Sequence, residues 1–188
     1  MNILIIDSIS PRLLLAVIKG TEVFSFVSEK DEKRHSASIL VAIDTLLRQS
    51  GLKINEISAI CAVVGPGSFT GIRIGVSTAT ALATASGAKL ISLTSLEPYV
   101  LNKDSALALF DCKNDNYYAL YKNGKICEYL ALNKAELNNF SVPFIYRNEP
   151  DIDLTVKAVL DKVKNGCFSP SIKPFYFKES SAEKNANP

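Results

Sequence analysis

The segment VVGPGSFTGIRIG at residues 63–75, called the glycine segment below, decides how the chain is interpreted. It carries four glycines between an apolar, β-branched run and a helical pattern that Gly87 ends. Glycine-rich turns between a strand and a helix often hold phosphate, because the N–H groups of a helix N-terminus attract anions. Glycines also let two backbones pack closely. Phosphate binding and close packing are therefore both possible interpretations of the glycine segment.

The two best-known phosphate motifs do not fit the glycine segment. A Walker A loop needs lysine after its last glycine, and here Ile72 follows Gly71. A dinucleotide fingerprint needs G-x-G-x-x-G, which is one residue tighter than the glycines at 65, 67 and 71. A less specific anion site stays open, and its candidate residues are Asp7, His35, Ser36, Gly67, Ser68, Phe69, Thr70 and Arg73.

Small side chains follow one stripe of the helix predicted at residues 72–86 and let a second backbone approach closely. The helix predicted at 36–49 has an apolar sector wider than a surface helix usually needs. We therefore predict a partner interface on both helices, with packing on the chain's own sheet as the alternative. Its residues are Ile39, Leu40, Ile43, Leu47, Gly71, Ile72, Gly75, Thr78, Ala79 and Leu82.

The composition bounds the class of protein. The chain has 188 residues, of which 47% are hydrophobic and 21% charged, so it can bury a core. A net charge of +2 carries no signature of nucleic-acid binding. Four scattered cysteines indicate reduced thiols, and no run approaches the ~18 apolar residues of a membrane helix. We expect a soluble, cytoplasmic α/β protein without a signal peptide.

The periodicity changes along the chain define two lobes. Residues 1–101 combine a strand hairpin, with its turn at Lys19-Gly20, with alternating strands and helices. They include a short helix for which Ser95 is the candidate N-cap. Residues 102–170 form a smaller lobe with a strand hairpin at Asn123-Gly124 and a helix at 154–164. Residues 171–188 form a tail that we expect to be partly disordered.

Four stretches resemble the TsaB (YeaZ) family over roughly the first 97 residues: MNILIIDSIS, RHSASILVAIDTLLRQSGL, VVGPGSFTGIRIGVSTATALA and LISLTSLE. The resemblance implies a two-lobed actin-like (ASKHA, ribonuclease-H-like) fold with a reduced second lobe. It implies a heterodimer with the paralogue TsaD through the first two helices of each chain. TsaE, a P-loop ATPase, would dock on this pair, and tRNA would bind through the complex.

The same resemblance implies a non-catalytic assembly subunit for N6-threonylcarbamoyladenosine formation at position 37 of tRNAs that read ANN codons. No cofactor would bind this chain alone, whereas ATP or ADP and Mg²⁺ would bind in the complex. The sequence departs from the family where DSIS follows the first strand in place of Asp-Thr-Ser-Thr. Its one histidine, His35, excludes the His-x-x-x-His metal site of TsaD in this chain.

A second hypothesis is a stand-alone small-molecule kinase or ATPase of the actin-like fold. It rests on Asp7, a carboxylate at the end of the first strand, where active kinases of this fold place a Mg²⁺-binding residue. Without a partner, a homodimer through the same two helices is also expected, because an exposed apolar face is rarely left uncovered.

Overall fold

The first lobe is built on a five-stranded mixed sheet. The computed structural model describes residues 1–29, 35–112, 114 and 116–176, with the backbone alone for 35–37. The strands lie in the order β3-β2-β1-β4-β5, with β1 antiparallel to β2 and parallel to β4. They are β1 (Asn2–Asp7), β2 (Leu14–Lys19), β3 (Glu22–Val27), β4 (Ala59–Val63) and β5 (Lys89–Leu93).

Continuous apolar runs explain the centre of this sheet. Strands β1 and β4 are buried on both faces, and such strands carry uninterrupted apolar residues. The hairpin predicted at Lys19-Gly20 is confirmed, since β2 and β3 pair across it and Gly20 has a φ of +60°. The sheet order and the pairing confirm the mixed α/β lobe expected from the sequence.

Two helices, α1 (His35–Ser50) and α2 (Phe69–Ser86), pack against this sheet and touch each other. The two predicted helices are thereby confirmed, although α2 begins three residues before the predicted residue 72. The earlier start follows from a cap, because the Ser68 hydroxyl accepts a hydrogen bond from the N–H of Gly71 at 3.2 Å. Gly87, with a φ of +76°, ends the helix as predicted.

The second lobe is a four-stranded sheet in the order β8-β7-β6-β9. The Asn123-Gly124 hairpin between β7 and β8 is confirmed, whereas β9 was missed because three residues show no readable period. The strands are β6 (Ser105–Asp111), β7 (Asn116–Asn123), β8 (Ile126–Asn133) and β9 (Phe144–Tyr146).

Residues 152–176 return to the first lobe. Helix α4 (Ile152–Lys164) contacts β5 and the short helix α3 (Glu97–Val100), and its Ala158 and Val159 belong to the core of the first sheet. Assigning residues 102–170 to a separate lobe is therefore wrong from α4 onward. The apolar face of α4 is buried on the larger core, which the sequence alone could not show.

Two further expectations are corrected near the chain end and α3. Ser95 does not cap α3, because its hydroxyl donates to the carbonyl of Pro66 at 2.7 Å and the helix begins after Leu96. The first part of the predicted tail is packed, since Ile172 is buried and the N–H of Phe175 donates to the Val64 carbonyl at 2.8 Å. Residues 177–188 of that tail lie outside the described residues.

The start of α2 lies against the loop between β1 and β2. A Cβ on Gly71 would collide with the carbonyl oxygen of Ser8, and a Cβ on Gly75 would lie 2.5 Å from the Ser8 hydroxyl oxygen. The Ser8 hydroxyl in turn donates to the Gly71 carbonyl at 2.8 Å. Both glycines are therefore required by packing within this chain.

We predict that Gly71→Ala destabilises the protein. Helix propensity alone would favour alanine by about 1 kcal/mol. Overpacking against the Ser8 backbone costs about 1–3 kcal/mol. This cost should outweigh the gain in helix propensity and lower the free energy of unfolding. Urea unfolding measures the difference.

The control is Ser77→Ala, an exposed position on the same helix, which should stay within about 0.5 kcal/mol of the wild type. A Gly71→Ala protein as stable as the wild type, or more stable, would contradict the packing account.

Candidate functional site

The two lobes meet at a cleft of about 560 Å³. One wall combines the β1–β2 loop with the glycine segment, and the other combines residues at the end of β6, on β7 and after β9. The lining residues are Ile9, Ser10, Pro11, Gly67, Ser68, Phe110, Asp111, Cys112, Tyr118, Arg147 and Asn148. A cleft in this position is where a ligand of an α/β protein would be expected.

Asp7, the predicted anion- or Mg²⁺-site carboxylate, is already paired. Its Oδ2 accepts a hydrogen bond from Nη2 of Arg147 at 2.7 Å, and its Oδ1 accepts the N–H of Ile9 at 3.3 Å. Nη1 of Arg147 donates to the Ser10 hydroxyl at 2.6 Å. Asp7 and Arg147 are 2% and 4% exposed.

The assignment of Asp7 to a ligand site is therefore corrected. A carboxylate buried this deeply needs a counter-charge, and the chain supplies its own in Arg147. In this structure Arg147 contacts Oδ2 of Asp7 and the Ile9 N–H contacts Oδ1, so both carboxylate oxygens have partners within the chain.

The backbone of the glycine segment is also committed within the chain. The N–H of Ser68 donates to the Ile9 carbonyl at 2.9 Å, and the N–H of Ile72 donates to the Ser68 carbonyl at 2.8 Å. With the Gly71 N–H on the Ser68 hydroxyl, at least three of the five N–H groups from Ser68 to Ile72 are occupied. A Cβ on Gly67 would lie 2.8 Å from Ile9, so this glycine too serves packing.

The remaining anion-site candidates on α2 lie away from the cleft lining. The guanidinium of Arg73 lies 4.1 Å from the centre of the Phe69 ring, and its Nε donates to the Tyr176 hydroxyl at 3.0 Å. The Phe69 and Tyr176 rings stack at 4.8 Å. Thr70 is exposed beside them. This cluster fastens the chain end to α2.

Of the six anion-site candidates whose side chains the structure describes, two, Gly67 and Ser68, line the cleft. The side chains of His35 and Ser36 lie outside the described residues. Sequence reasoning missed Arg147, whose ion-pair partner is 140 positions away. A charged residue directly after the apolar run FIY was the only local signal.

Most of the predicted interface faces inward. Ile39, Ile72 and Ala79 are at most 2% exposed, Ile43 and Leu47 are 3% and 7% exposed, and Gly71 and Gly75 pack against Ser8. These seven residues are corrected to own-chain packing, because both helices bury these side chains in the core of the first lobe. A bulky residue at Gly75 would therefore test the fold and not a partner.

An open groove of about 360 Å³ lies beside α1 and is called the α1–α2 groove. Four predicted residues line it: the buried Ile43 and Leu47, the half-buried Leu82 and the exposed Leu40. Thr78 is half-buried on α2. Leu40 is 58% exposed. The rim carries Asp44, Arg48 and Lys53, with Asp44 and Arg48 paired at 2.9 Å. An apolar floor with a charged rim is typical of a protein–protein contact.

The titratable groups near the cleft are shifted mainly by burial. Burial raises the pKa of the Cys61 thiol and of the Tyr118 phenol. Burial raises the pKa of Tyr99 to about 12, and its hydroxyl donates to the Glu149 carbonyl at 2.8 Å. These shifts keep the groups neutral, so none of the three is prepared to act as a base.

The described ranges contain neither a cluster of metal ligands nor a membrane-spanning helix. Within residues 1–29, 35–112, 114 and 116–176, no three His, Cys, Asp or Glu side chains gather as metal ligands. Among the helices that the structure describes, none has the length and apolar character needed to cross a membrane.

Comparisons with known proteins agree with this architecture. A family model described as TsaD, tRNA N6-adenosine threonylcarbamoyltransferase, matches residues 25–137. The TsaB protein of Bacillus subtilis is 31% identical over 131 residues, which is 66% of this chain and 57% of that protein. The TsaB of Escherichia coli is 32% identical over 96 residues, or 51% of this chain and 41% of that protein. The chain thus matches about half the length of these relatives.

Solved structures show the same fold. YeaZ from Pseudomonas aeruginosa superposes with a TM-score of 0.75 at 16% identity, over 94% of this chain and 99% of that one. A second Pseudomonas aeruginosa protein, described as similar to peptidase YEAZ, gives a TM-score of 0.77 with the same identity and coverage. The α/β, actin-like (ASKHA) fold with two lobes is thereby confirmed.

The family model covers more than half of the chain. The chain therefore belongs to the family that this model describes, and TsaB proteins are among the curated relatives to which it is similar.

Proposed function

We propose that this chain is a non-catalytic assembly subunit of the complex that forms N6-threonylcarbamoyladenosine at position 37 of tRNA, where it binds and activates a TsaD homologue. The observation that carries the proposal is the contrast between the two candidate sites. The carboxylate of the cleft is neutralised by Arg147, whereas the α1–α2 groove is apolar and open.

The cleft supports the non-catalytic half of the proposal. Asp7 is the residue on which the kinase alternative rests, and its two oxygens accept hydrogen bonds from Arg147 and the Ile9 backbone. The glycine segment packs on Ile9 and Ser8 instead of presenting its N–H groups as a set. Phosphate transfer needs a cation and free donors around the phosphates, and this arrangement does not favour it.

The groove supports the assembly half. Proteins named tRNA N6-adenosine threonylcarbamoyltransferase are relatives of this chain; the one from Erythrobacter litoralis is 30% identical over 107 residues, or 56% of this chain and 30% of that protein. A paralogue with the same lobe would present a similar pair of helices. Two similar surfaces can pair about a pseudo-twofold axis, and a homodimer of this chain would use the same geometry.

The other components follow from this arrangement. A TsaE ATPase would bind the pair, and ATP or ADP with Mg²⁺ would be held in the complex instead of by this chain alone. The net charge of +2 gives this chain no polyanion-binding character of its own. The tRNA would therefore reach it through the assembled complex, in the cytoplasm.

We predict that Leu40→Lys weakens binding to the TsaD homologue by about 30-fold or more. The substitution places a charge in the apolar groove, and truncating or charging such a contact typically costs about 2 kcal/mol or more. Isothermal titration calorimetry measures the dissociation constant, and a circular dichroism melt checks the fold.

The matched control is Val41→Lys. Val41 is the next residue of α1 and is 67% exposed, but it does not line the groove. The dissociation constant of the Val41→Lys variant for the TsaD homologue should stay within about threefold of the wild-type value. Equal weakening by both substitutions, or by neither, would place the partner on a different surface.

We further predict that the purified chain shows no Mg²⁺-dependent ATP turnover above background, while modified tRNA forms only when the chain is added to the TsaD homologue, TsaE and the adenylate-forming synthetase. Threonylcarbamoyladenosine in digested tRNA is counted by mass spectrometry.

The kinase alternative makes the opposite prediction. Mg²⁺-dependent ATP turnover by the chain alone that falls in a folded Asp7→Asn variant would support it, since Asp7 is the carboxylate on which that alternative rests.

A further inference from the structure

Arg147 joins the two lobes through a buried contact. It follows β9 in the second lobe, whereas Asp7 ends β1 and Ser10 lies in the β1–β2 loop of the first. Its two terminal nitrogens donate to Oδ2 of Asp7 at 2.7 Å and to the Ser10 hydroxyl at 2.6 Å. All three residues are at most 4% exposed. This is the deepest polar contact between the lobes among the described residues.

Burial makes this contact sensitive to lobe position. Separating a buried ion pair leaves each charge without its partner, which is strongly unfavourable. The hydrogen bonds at 2.6 and 2.7 Å fix both the distance and the orientation of the planar guanidinium. A lobe movement large enough to carry Arg147 beyond hydrogen-bond distance would leave two buried charges unpaired.

Weaker contacts surround the buried one on two sides. On the rim beside Arg147, Nε of Arg12 lies 3.3 Å from Oε2 of Glu149, and both side chains are at least 33% exposed. At the opposite side, the Thr94 and Tyr129 hydroxyls lie 2.5 Å apart, and the Tyr129 ring packs edge-on to Phe175 at 5.0 Å. The exposed Arg12–Glu149 pair contributes little to stability, whereas the Thr94–Tyr129 contact is half-buried. A buried apolar cluster also joins the lobes, in which α3 packs on the second sheet. Among these contacts the Arg147 cluster is the one that pairs buried charges.

We propose that Arg147, Asp7 and Ser10 form an interlobe latch that holds the two lobes in one arrangement. The cleft then neither opens nor closes around a ligand, in contrast to clefts that work by domain closure. The latch also fixes the β1–β2 loop, whose Ser8 supports α2. It goes beyond the proposed function and is tested independently of it.

Native cysteines allow a direct measurement. Cys127 lies on β8 of the second lobe and Cys167 follows α4 on the first lobe, and both are exposed. Nitroxide labels on these two thiols report the interlobe distance by pulsed electron spin resonance. Cys112 lines the cleft and is replaced by serine throughout, and Cys61 is fully buried.

The variants are Arg147→Met, the double variant Asp7→Leu with Arg147→Met, and the control Arg12→Ala. The wild type and Arg12→Ala should give one narrow distance distribution. Arg147→Met should broaden it and lower the melting midpoint by roughly 10 °C, as expected for a broken buried pair. The double variant removes both charges, so it should recover much of the midpoint while the distribution stays broad.

A contact that only stabilises the fold would lower the melting midpoint without broadening the distance distribution. Measuring both quantities therefore distinguishes a latch from a purely stabilising contact. A folded Arg147→Met or double variant with the narrow wild-type distribution would overturn the proposal. If Arg147→Met does not fold, the double variant alone decides, because it contains no unpaired buried charge. Hydrogen exchange of residues 8–13 and 147–151 provides the second readout and should accelerate in Arg147→Met but not in Arg12→Ala.

Discussion

The close approach of α2 to the backbone of Ser8 is the contact on which both candidate sites depend. It is available only because residues 71 and 75 are glycines, so that the helix can lie against the β1–β2 loop with a hydroxyl-to-carbonyl hydrogen bond between them. The position of α2 sets the wall of the groove beside α1. The same contact holds the loop that carries Ile9 and Ser10 into the cleft.

The two sites have opposite electrostatic character. In the cleft, a carboxylate that would suit a cation meets a guanidinium from the same chain, so its charge is satisfied internally. At the groove, the exposed Leu40 and the half-buried Leu82 lie beside charged side chains, of which Asp44 and Arg48 pair with each other. A surface of this kind gains free energy when another polypeptide covers it. The chain therefore combines a cleft whose buried charge is satisfied internally with an apolar groove that is open to solvent.

Local sequence pattern predicted most of the first lobe, and what it missed depends on contacts between residues far apart along the chain. Helices α1 and α2, and in the second lobe the Asn123-Gly124 hairpin, follow from periodicity and turn chemistry within about ten residues. The glycine spacing indicated that another backbone packs closely against α2, but it did not identify that backbone. Gly71 and Gly75 were therefore assigned to a partner interface, whereas they pack against Ser8 of the same chain. Arg147 and Asp7 pair across 140 positions, and no local signal reports such a contact.

Helix α4 and the segment that follows it complete the core of the first sheet, although the second lobe lies between them in sequence. During synthesis, the strands and helices of residues 1–93 therefore emerge from the ribosome before the side chains that finish their core. The Val64 carbonyl can accept the N–H of Phe175, and Ala158 and Val159 can join this core, only after the residues of the second sheet have been synthesised. The core of the first lobe is therefore completed by residues that follow the second sheet along the chain.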